Sequence, residues 1–549
     1  MSARGLNLLV FREGRRDLSG LGLKLALMKQ LERLSRDSTS DALIEALLRA
    51  GELECGLGDV CSPFFSSAEE LTSVLAGALL LGRLPGNFIE IKNIVAGISV
   101  PERISVSTPE GFAYYALHPL AYAEAARKMS VLPAHVVVVG IRSIGTTLSA
   151  MAAAGAASRG AQVKRITVRP TGHPYNRHTD FSPDQLACIQ RSASLDAAFL
   201  VVDEGPGLSG SSLLSAAEAL EAAGVPREKI ILLCGHEPKI EALCSDNAAE
   251  RWSRYRCLPA AGEARKPAAA CDFVGAGQWR SRMFDRESVW PAIWTSLERL
   301  KYLSPDDAAN PRLYKFAGLG HYGESVMARE LRVAEAGFGP MPARESDGFA
   351  SYPWIEGRPM QAGDLNLSRD TIVRLAEYCA FRAREFAIDQ ADPGPLRAMA
   401  QHNLGQLGAG APIELSFERL VIADGRMQPH EWLRTSSGHM LKTDSGGHGD
   451  DHFFPGPVDI AWDLAGAIVE WRMDVTHRAE FLNAYRAASG DDPSRRIGDF
   501  IRAYAVFRSA YCTMAANAMK GTPEQARLEH AAQEYQEQTS APPALAAAI

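Results

Sequence analysis

Between residues 135 and 235 the chain carries four short apolar runs that leave little freedom of fold. They are "HVVVVG" (135–140), "VKRITVR" (163–169), "AAFLVVDE" (197–204) and "KIILLCG" (229–235). Helical patterns at 144–158 and 211–223 lie between them. Continuous β-branched runs separated by helices predict parallel strands buried on both faces. The expected fold class is therefore α/β, with a parallel sheet as its centre.

The 549 residues exceed what one such sheet needs, and a prior of roughly 100–200 residues per domain suggests three or four units. Residues 1–99 read as mostly helical, as in "DALIEALLRAGELE" (41–54). The α/β unit is expected over 100–290, and a second pattern over 305–535. Residues 238–272 are polar and Ala-rich and read as an excursion or linker, and the last 15 residues read as a frayed tail. The composition is 46% hydrophobic and 22% charged with net charge −7, which argues against general nucleic-acid or membrane-surface binding. Without a basic-plus-apolar leader or an apolar run of 18 residues, no secretion and no membrane span are expected. The nine cysteines include no C-x-x-C pair. They read as reduced thiols in a cytoplasmic protein, and His/Cys spacing for structural zinc is absent.

The third run ends in "FLVVDEGPGLSGSS" (199–212). Asp203 and Glu204 stand at the carboxyl end of a strand, where open parallel sheets bind ligands. The Gly- and Ser-rich loop then offers backbone N–H groups at a helix start, which suits an anion. Carboxylates beside anion-binding amides fit a ribose phosphate: the acids take hydroxyls and the loop takes the phosphate. The plain alternative is an ordinary β-to-α turn with solvated acids. After the first run, "VVVVGIRSIGTTL" (136–148) places Gly140, Arg142 and Gly145. Glycine permits close backbone approach, and Arg142 supplies a planar fork for phosphate oxygens.

Together the two stretches resemble the type I phosphoribosyltransferases, closely over 135–235 and loosely over 100–290. The resemblance implies that Asp203 and Glu204 are the catalytic acids on the ribose hydroxyls of phosphoribosyl pyrophosphate. It makes Gly207, Leu208, Ser209, Gly210 and Ser211 the 5-phosphate loop, and Arg142, Ser143, Gly145 and Thr146 the pyrophosphate loop. The family's mobile loop falls at 170–183, with Arg169, His173 and Arg177 as anion ligands. Mg²⁺ is the implied cofactor, and an unidentified small-molecule acceptor the second substrate. "SVSTPEGFAYYALHP" (105–119) and "GAGQWRSRMF" (275–284) are candidates for the acceptor hood. There Tyr114, Tyr115 and Trp279 either stack on a ring or pack in the core, and Arg280 or Arg282 could hold an acidic group. The loop departs from the family in having serines where threonines are commoner, and Pro206 at its entry.

A strand "RLYKF" (312–316) opens the C-terminal part, and the G-x-G-x-x-G at Gly318, Gly320 and Gly323 follows. No βαβ unit with a following acid supports a dinucleotide site there. Lys315 ends the strand and Glu330 lies in the next helix. The succession "GFASYPWIEGRPM" (348–360), "ADGRMQPHEWLRT" (423–435), "HMLKTD" (439–444) and "DIAWDLAGAIVEW" (459–471) resembles the aminoglycoside and choline kinases over about 310–520. This implies an α+β, helix-rich kinase-like domain. Lys315 and Glu330 would form its nucleotide-binding ion pair, Asp444 and Glu431 its metal sites, Asp463 its helix-opening acid, and ATP its ligand. Arg426 stands where the catalytic Asp belongs, and Glu431 where the metal-binding Asn belongs. His448, Asp450, Asp451 and His452 read either as an unusual Mg²⁺ site or as a solvated loop. The sequence thus supports two functions: a phosphoribosyltransferase fused to an atypical kinase-like domain, or a non-catalytic nucleotide and ribose-phosphate sensor whose pseudokinase-like part docks a partner. A homo-oligomer is compatible with either.

Overall fold

Side chains of the apolar runs alternate between two cores, as the two-residue period of a strand requires. Val136, Val138, Leu200, Val202, Ile231 and Leu233 enter one; Val137, Val139, Phe199, Val201, Ile230 and Leu232 enter the other. The computed structural model describes residues 7–10, 15–36, 38–84, 88–130, 133–207, 209–260, 265–305, 310–367, 369–408, 412–450, 453 and 456–539.

The parallel sheet has five strands in the spatial order Gln162–Val168, His135–Ile141, Ala198–Val202, Ile230–Cys234, Arg256–Pro259. Its order reverses between His135–Ile141 and Ala198–Val202, so the crevice for a ligand opens there. Ile144–Ala157 covers one face, backed by Ser40–Asp59, Phe65–Leu81 and Pro119–Arg127. Pro183–Ser194 and Ser211–Ala222 cover the other. The fifth strand corrects the reading of 238–272 as a linker. Its four residues, "RCLP", carry one charge and one proline, too little pattern for a strand signature, yet its pairing with Ile231–Cys234 finishes the sheet.

The second sheet is antiparallel, ordered Asp272–Phe273, Lys301–Leu303, Arg312–Phe316, Phe349–Pro353, Ala343–Arg344. Its first two strands precede residue 305, so the boundary expected there falls inside this sheet. His321–Glu335 packs beside it, and Arg369–Glu385, Gly394–Leu407, Ala461–Glu470, Val475–Ser489, Ile497–Ala518 and Pro523–Thr539 build the helical remainder. The last of these corrects part of the expected frayed tail: Tyr535 is buried and donates to Glu470 at 2.7 Å. Residues 540–549 lie outside the described residues. Among the described residues no helix is long and apolar enough to cross a membrane.

The two sheets are knit together. Leu319 N donates to Phe112 O at 2.9 Å. Glu45 accepts from His321 N at 2.7 Å, and Tyr322 donates to Glu52. The G-x-G-x-x-G is explained by this contact. A Cβ on Gly320 would sit 2.1 Å from the Glu45 carboxylate, and one on Gly323 would sit 2.1 Å from Gly318 O. At the other end, Leu8 and Val10 are buried in the C-terminal core, where Asn403 bonds both Leu9 N (2.8 Å) and Leu9 O (2.7 Å).

Candidate functional site

At the reversal point of the parallel sheet lies a cavity of about 610 Å³, walled by Arg142, Ser143, Ile144, Arg169, Thr171, Arg177, Asp203, Glu204 and Ser212 among others. Asp203 Oδ1 accepts from Glu204 N at 2.9 Å, and Glu204 Oε2 accepts from Gly111 N at 2.8 Å. Burial, then the Glu204 charge, pushes the Asp203 carboxyl well above the usual range. Burial also raises Glu204, against the pull of the Gly111 N–H. Two acids so placed favour partners that donate hydrogen bonds or positive charge.

The turn after His135–Ile141 carries two glycines for space. A Cβ on Gly140 would lie 2.4 Å from Ser149 Oγ, and one on Gly145 2.7 Å from Val202 O. Ser143 has φ +120° and ψ −119°, a strained conformation for a residue with a Cβ. It introduces the helix Ile144–Ala157, whose first turn lacks i→i−4 partners for its N–H groups; of these Thr146 N donates to Ser143 O at 3.3 Å. Ser143 and Ile144 face the cavity, whereas Thr146 is buried beneath, its carbonyl accepting from Ser149 Oγ at 2.9 Å.

The loop 205–211 turns through Gly207 (φ +56°) and Gly210 (φ +68°). Leu208 lies outside the described residues. Ser209 and Ser211 donate to Pro174 O at 2.9 and 2.6 Å, and their hydroxyls lie 3.0 Å apart. Pro174 is the tip of an antiparallel hairpin, Thr171–His173 with Asn176–His178. The segment expected as a mobile loop thus rests on the serine loop. Arg177 reaches the cavity and donates to Gly172 O at 2.7 Å, and His173 accepts from Tyr175 N.

Arg142 and Arg169 also reach the cavity wall, but their forks are turned to protein acceptors. Arg142 donates to Gly58 O (2.8 Å) and Thr167 Oγ1 (3.2 Å). Arg169 grips Asp59 through Nε (3.0 Å) and Nη2 (2.6 Å) and gives Nη1 to Arg142 O (2.8 Å). Both were expected as direct phosphate forks, and both line the cavity with their guanidinium groups engaged by these protein acceptors. Asp59, Gly111 and Arg15, which complete this site, were not found from the sequence. Asp59 and Arg169 are 110 positions apart, and only the "GLGD" end of a helix marks Asp59 locally.

A second cavity, of about 180 Å³, lies between the antiparallel sheet and the helical part. Tyr114, Trp279, Tyr352, Trp354, His430 and Phe453 line it, with Lys315, Arg426, Glu431 and Asp444. Trp279 stacks on His430 at 5.9 Å. Tyr114 and Trp279 therefore belong to this cavity and not to a hood over the first. Arg280 pairs with Glu524 at 2.8 Å. The expected Lys315–Glu330 pair is corrected: Lys315 pairs with Asp444. Glu330 instead accepts from Ser445 Oγ (2.9 Å) and Gly446 N (2.8 Å), because Gly446 leaves the room a side chain would take from Glu330.

The donor set there is poor for a divalent cation. Lys442 donates to Glu431 at 2.8 Å, and Lys315 already neutralises Asp444. Burial alone would raise Asp444, but His448, Lys315 and Lys301 hold it well below the carboxylate range. Burial, with Lys442, Arg508 and Arg426 nearby, drives His430 down to about 3 and leaves it neutral. Among the described residues no three His, Cys, Asp or Glu side chains converge as metal ligands, and Asp444 and Glu431, the expected metal pair, each hold a lysine. Asp451 and His452 lie outside the described residues. Asp463 opens its helix as expected and accepts from Asp424 N (2.8 Å) and Gly425 N (2.9 Å). Asp424, passed over in the sequence, is fully buried and accepts from Tyr378 OH.

No family model and no curated protein matches the chain. Solved structures similar to part of it include a choline/ethanolamine kinase family protein from Mesorhizobium loti, at 15% identity, covering 45% of this chain and 89% of that one with TM-score 0.32. Macrolide 2'-phosphotransferase MphH from Brachybacterium faecium has 14% identity, 42% and 87% coverage and TM-score 0.30. An aminoglycoside phosphotransferase from Alicyclobacillus acidocaldarius has 13% identity, 43% and 85% coverage and TM-score 0.31.

Proposed function

We propose that this chain is a two-site protein whose first cavity binds phosphoribosyl pyrophosphate or a related ribose phosphate and transfers the 5-phosphoribosyl group to a small-molecule acceptor. The observation that carries this reading is the convergence of Asp203, Glu204, the Ser143 turn and Ser212 on one cavity at the sheet's reversal point. The acids accept hydrogen bonds from the ribose hydroxyls and stabilise positive charge as the ring becomes oxocarbenium-like. The bond from the anomeric carbon to pyrophosphate breaks as the acceptor's bond forms, and the turn at Ser143–Ile144 holds the leaving oxygens. The two acids fit Mg²⁺ as well as hydroxyls, and the ion would supply neutralisation of the leaving group. Calorimetric titration with phosphoribosyl pyrophosphate tests this. Asp203→Asn with Glu204→Gln should weaken binding roughly 100-fold, two charge-assisted hydrogen bonds at ~1.5 kcal/mol each. An unchanged affinity would refute the assignment.

The second cavity supports a different role, that of a kinase-like nucleotide binder without phosphoryl transfer. The lysine held on each acid, Lys315 on Asp444 and Lys442 on Glu431, favours it. Arg426 on the wall cannot take a proton from an acceptor hydroxyl. The cavity should bind adenine nucleotides with similar affinity with and without Mg²⁺, read by thermal shift of the full chain. Mg²⁺-dependent transfer of phosphate would overturn this half of the proposal. If the first cavity bound ribose phosphates without turning over any acceptor, the whole chain would fit the sensor reading.

A further inference from the structure

Asp59 ends the helix Ser40–Asp59 and is 12% exposed, at the edge of the first cavity. Three arginines that line this cavity meet its carboxylate: Arg169 at 2.6 Å, Arg15 at 3.2 Å and Arg142 at 3.5 Å. The chain of bonds continues beyond it. Arg169 Nη1 holds the carbonyl of Arg142, the residue just before Ser143 at φ +120°. Arg142 in turn reaches back to Gly58 O at 2.8 Å, and a Cβ on Gly58 would stand 3.0 Å from the guanidinium carbon. A strained turn persists only when its surroundings over-determine it. Here the restraint comes from the end of a helix in the N-terminal region, which neither family resemblance explains.

We infer that Asp59 is a positioning residue for anion binding. Through Arg169 it fixes the Arg142–Ser143 peptide, and so keeps the first N–H groups of Ile144–Ala157 set toward the leaving-group end of the cavity. The N-terminal helices thereby serve the site as its brace. A bidentate Arg–carboxylate pair has the geometric specificity this needs, and a lysine at 169 would lack the planar fork that grips both Asp59 oxygens. The ligand part of this inference rests on the ribosyl reading; the hold on the turn does not.

The experiment uses the full chain, its Asp59→Asn variant and, should that fail to fold, Arg169→Lys. Amide hydrogen exchange in peptides spanning 140–147 should quicken about tenfold, while peptides over 204–212 keep their wild-type rate. Titration with inorganic pyrophosphate should show an affinity loss of about tenfold or more, and ribose 5-phosphate a change of less than about twofold. Equal weakening of both ligands would make Asp59 a general fold residue and overturn the inference, as would unchanged exchange at 140–147. If the wild type bound neither probe, the ribosyl reading would fall, and the exchange result alone would decide whether Asp59 holds the turn.

Discussion

Asp203 shows how one residue reports on the site through stability. Burial and then Glu204 raise its pKa well above 3.8. The folded state therefore binds a proton that the unfolded state has released. Stability is fully present below the unfolded value and falls as pH rises toward the folded one. Asp203→Asn removes that cost. The ligand-free variant should melt higher than wild type at pH 8 and no higher at pH 3, by thermal melts at both, even as it loses ribose-phosphate binding. A wild-type advantage at pH 8 would mean that the carboxylate has a cationic partner. At this scale the sequence was readable in part. Asp203 and Glu204 are neighbours at the end of an apolar run, so adjacency and strand direction place them. Asp59 was not readable, because its partners Arg142 and Arg169 reach it only through the folded sheet. Lys315 followed its pattern in position and still took Asp444, since order along a chain does not decide which acid arrives nearest.

Elements pack here through missing side chains and through buried charge pairs, His321 with Glu45 among them. Gly155 in Ile144–Ala157 lies against Pro119–Arg127, where an added Cβ would stand 2.3 Å from Ala123 O. A backbone carbonyl cannot swing away. Gly155→Ala should cost about 1–3 kcal/mol, read by urea denaturation, and no loss would show that the helices can part freely. Across the other joint, burial lowers His321, but Glu45 and Glu52 lift it to about 9. A raised histidine stabilises fully below its ordinary 6.5, and the gain is lost as pH rises through the folded value. The melting temperature should therefore fall between pH 7 and pH 9.5, the interval carrying about 2 kcal/mol. His321→Gln should flatten that slope, and a slope equal to wild type would place the titration elsewhere. The long apolar strands and amphipathic helices were legible because each repeats its period. "RCLP" was not, being four residues that become a strand only beside Ile231–Cys234.

At the scale of the whole molecule, the helix Glu110–Ala113 stands between the cavities. Gly111 binds Glu204 of the first, Phe112 holds Leu319, and Tyr114 lines the second. The strand pair Asp272–Phe273 and Lys301–Leu303 likewise comes before the segment where a boundary was expected. A fragment beginning at residue 305 lacks both strands and should be insoluble on expression. A fragment beginning near 270 should be the more soluble of the two, though it exposes the face that Glu45 and Glu52 cover. A stable, monomeric 305–549 fragment would show that the sheet can close without them.

The bond between Asn403 and Leu9 bears on how such a gene can change. A fusion of two finished modules would allow a single crossover near its middle to exchange either half. In this chain Leu8 and Val10 are seated in the C-terminal core and Leu9 is bonded to Asn403 on the helix Gly394–Leu407, so that crossover would bring a foreign segment to Asn403. A viable chimera needs two junctions, one after Val10 and one before Asp272, with Leu8–Val10 inherited from the parent that gave the helix Gly394–Leu407.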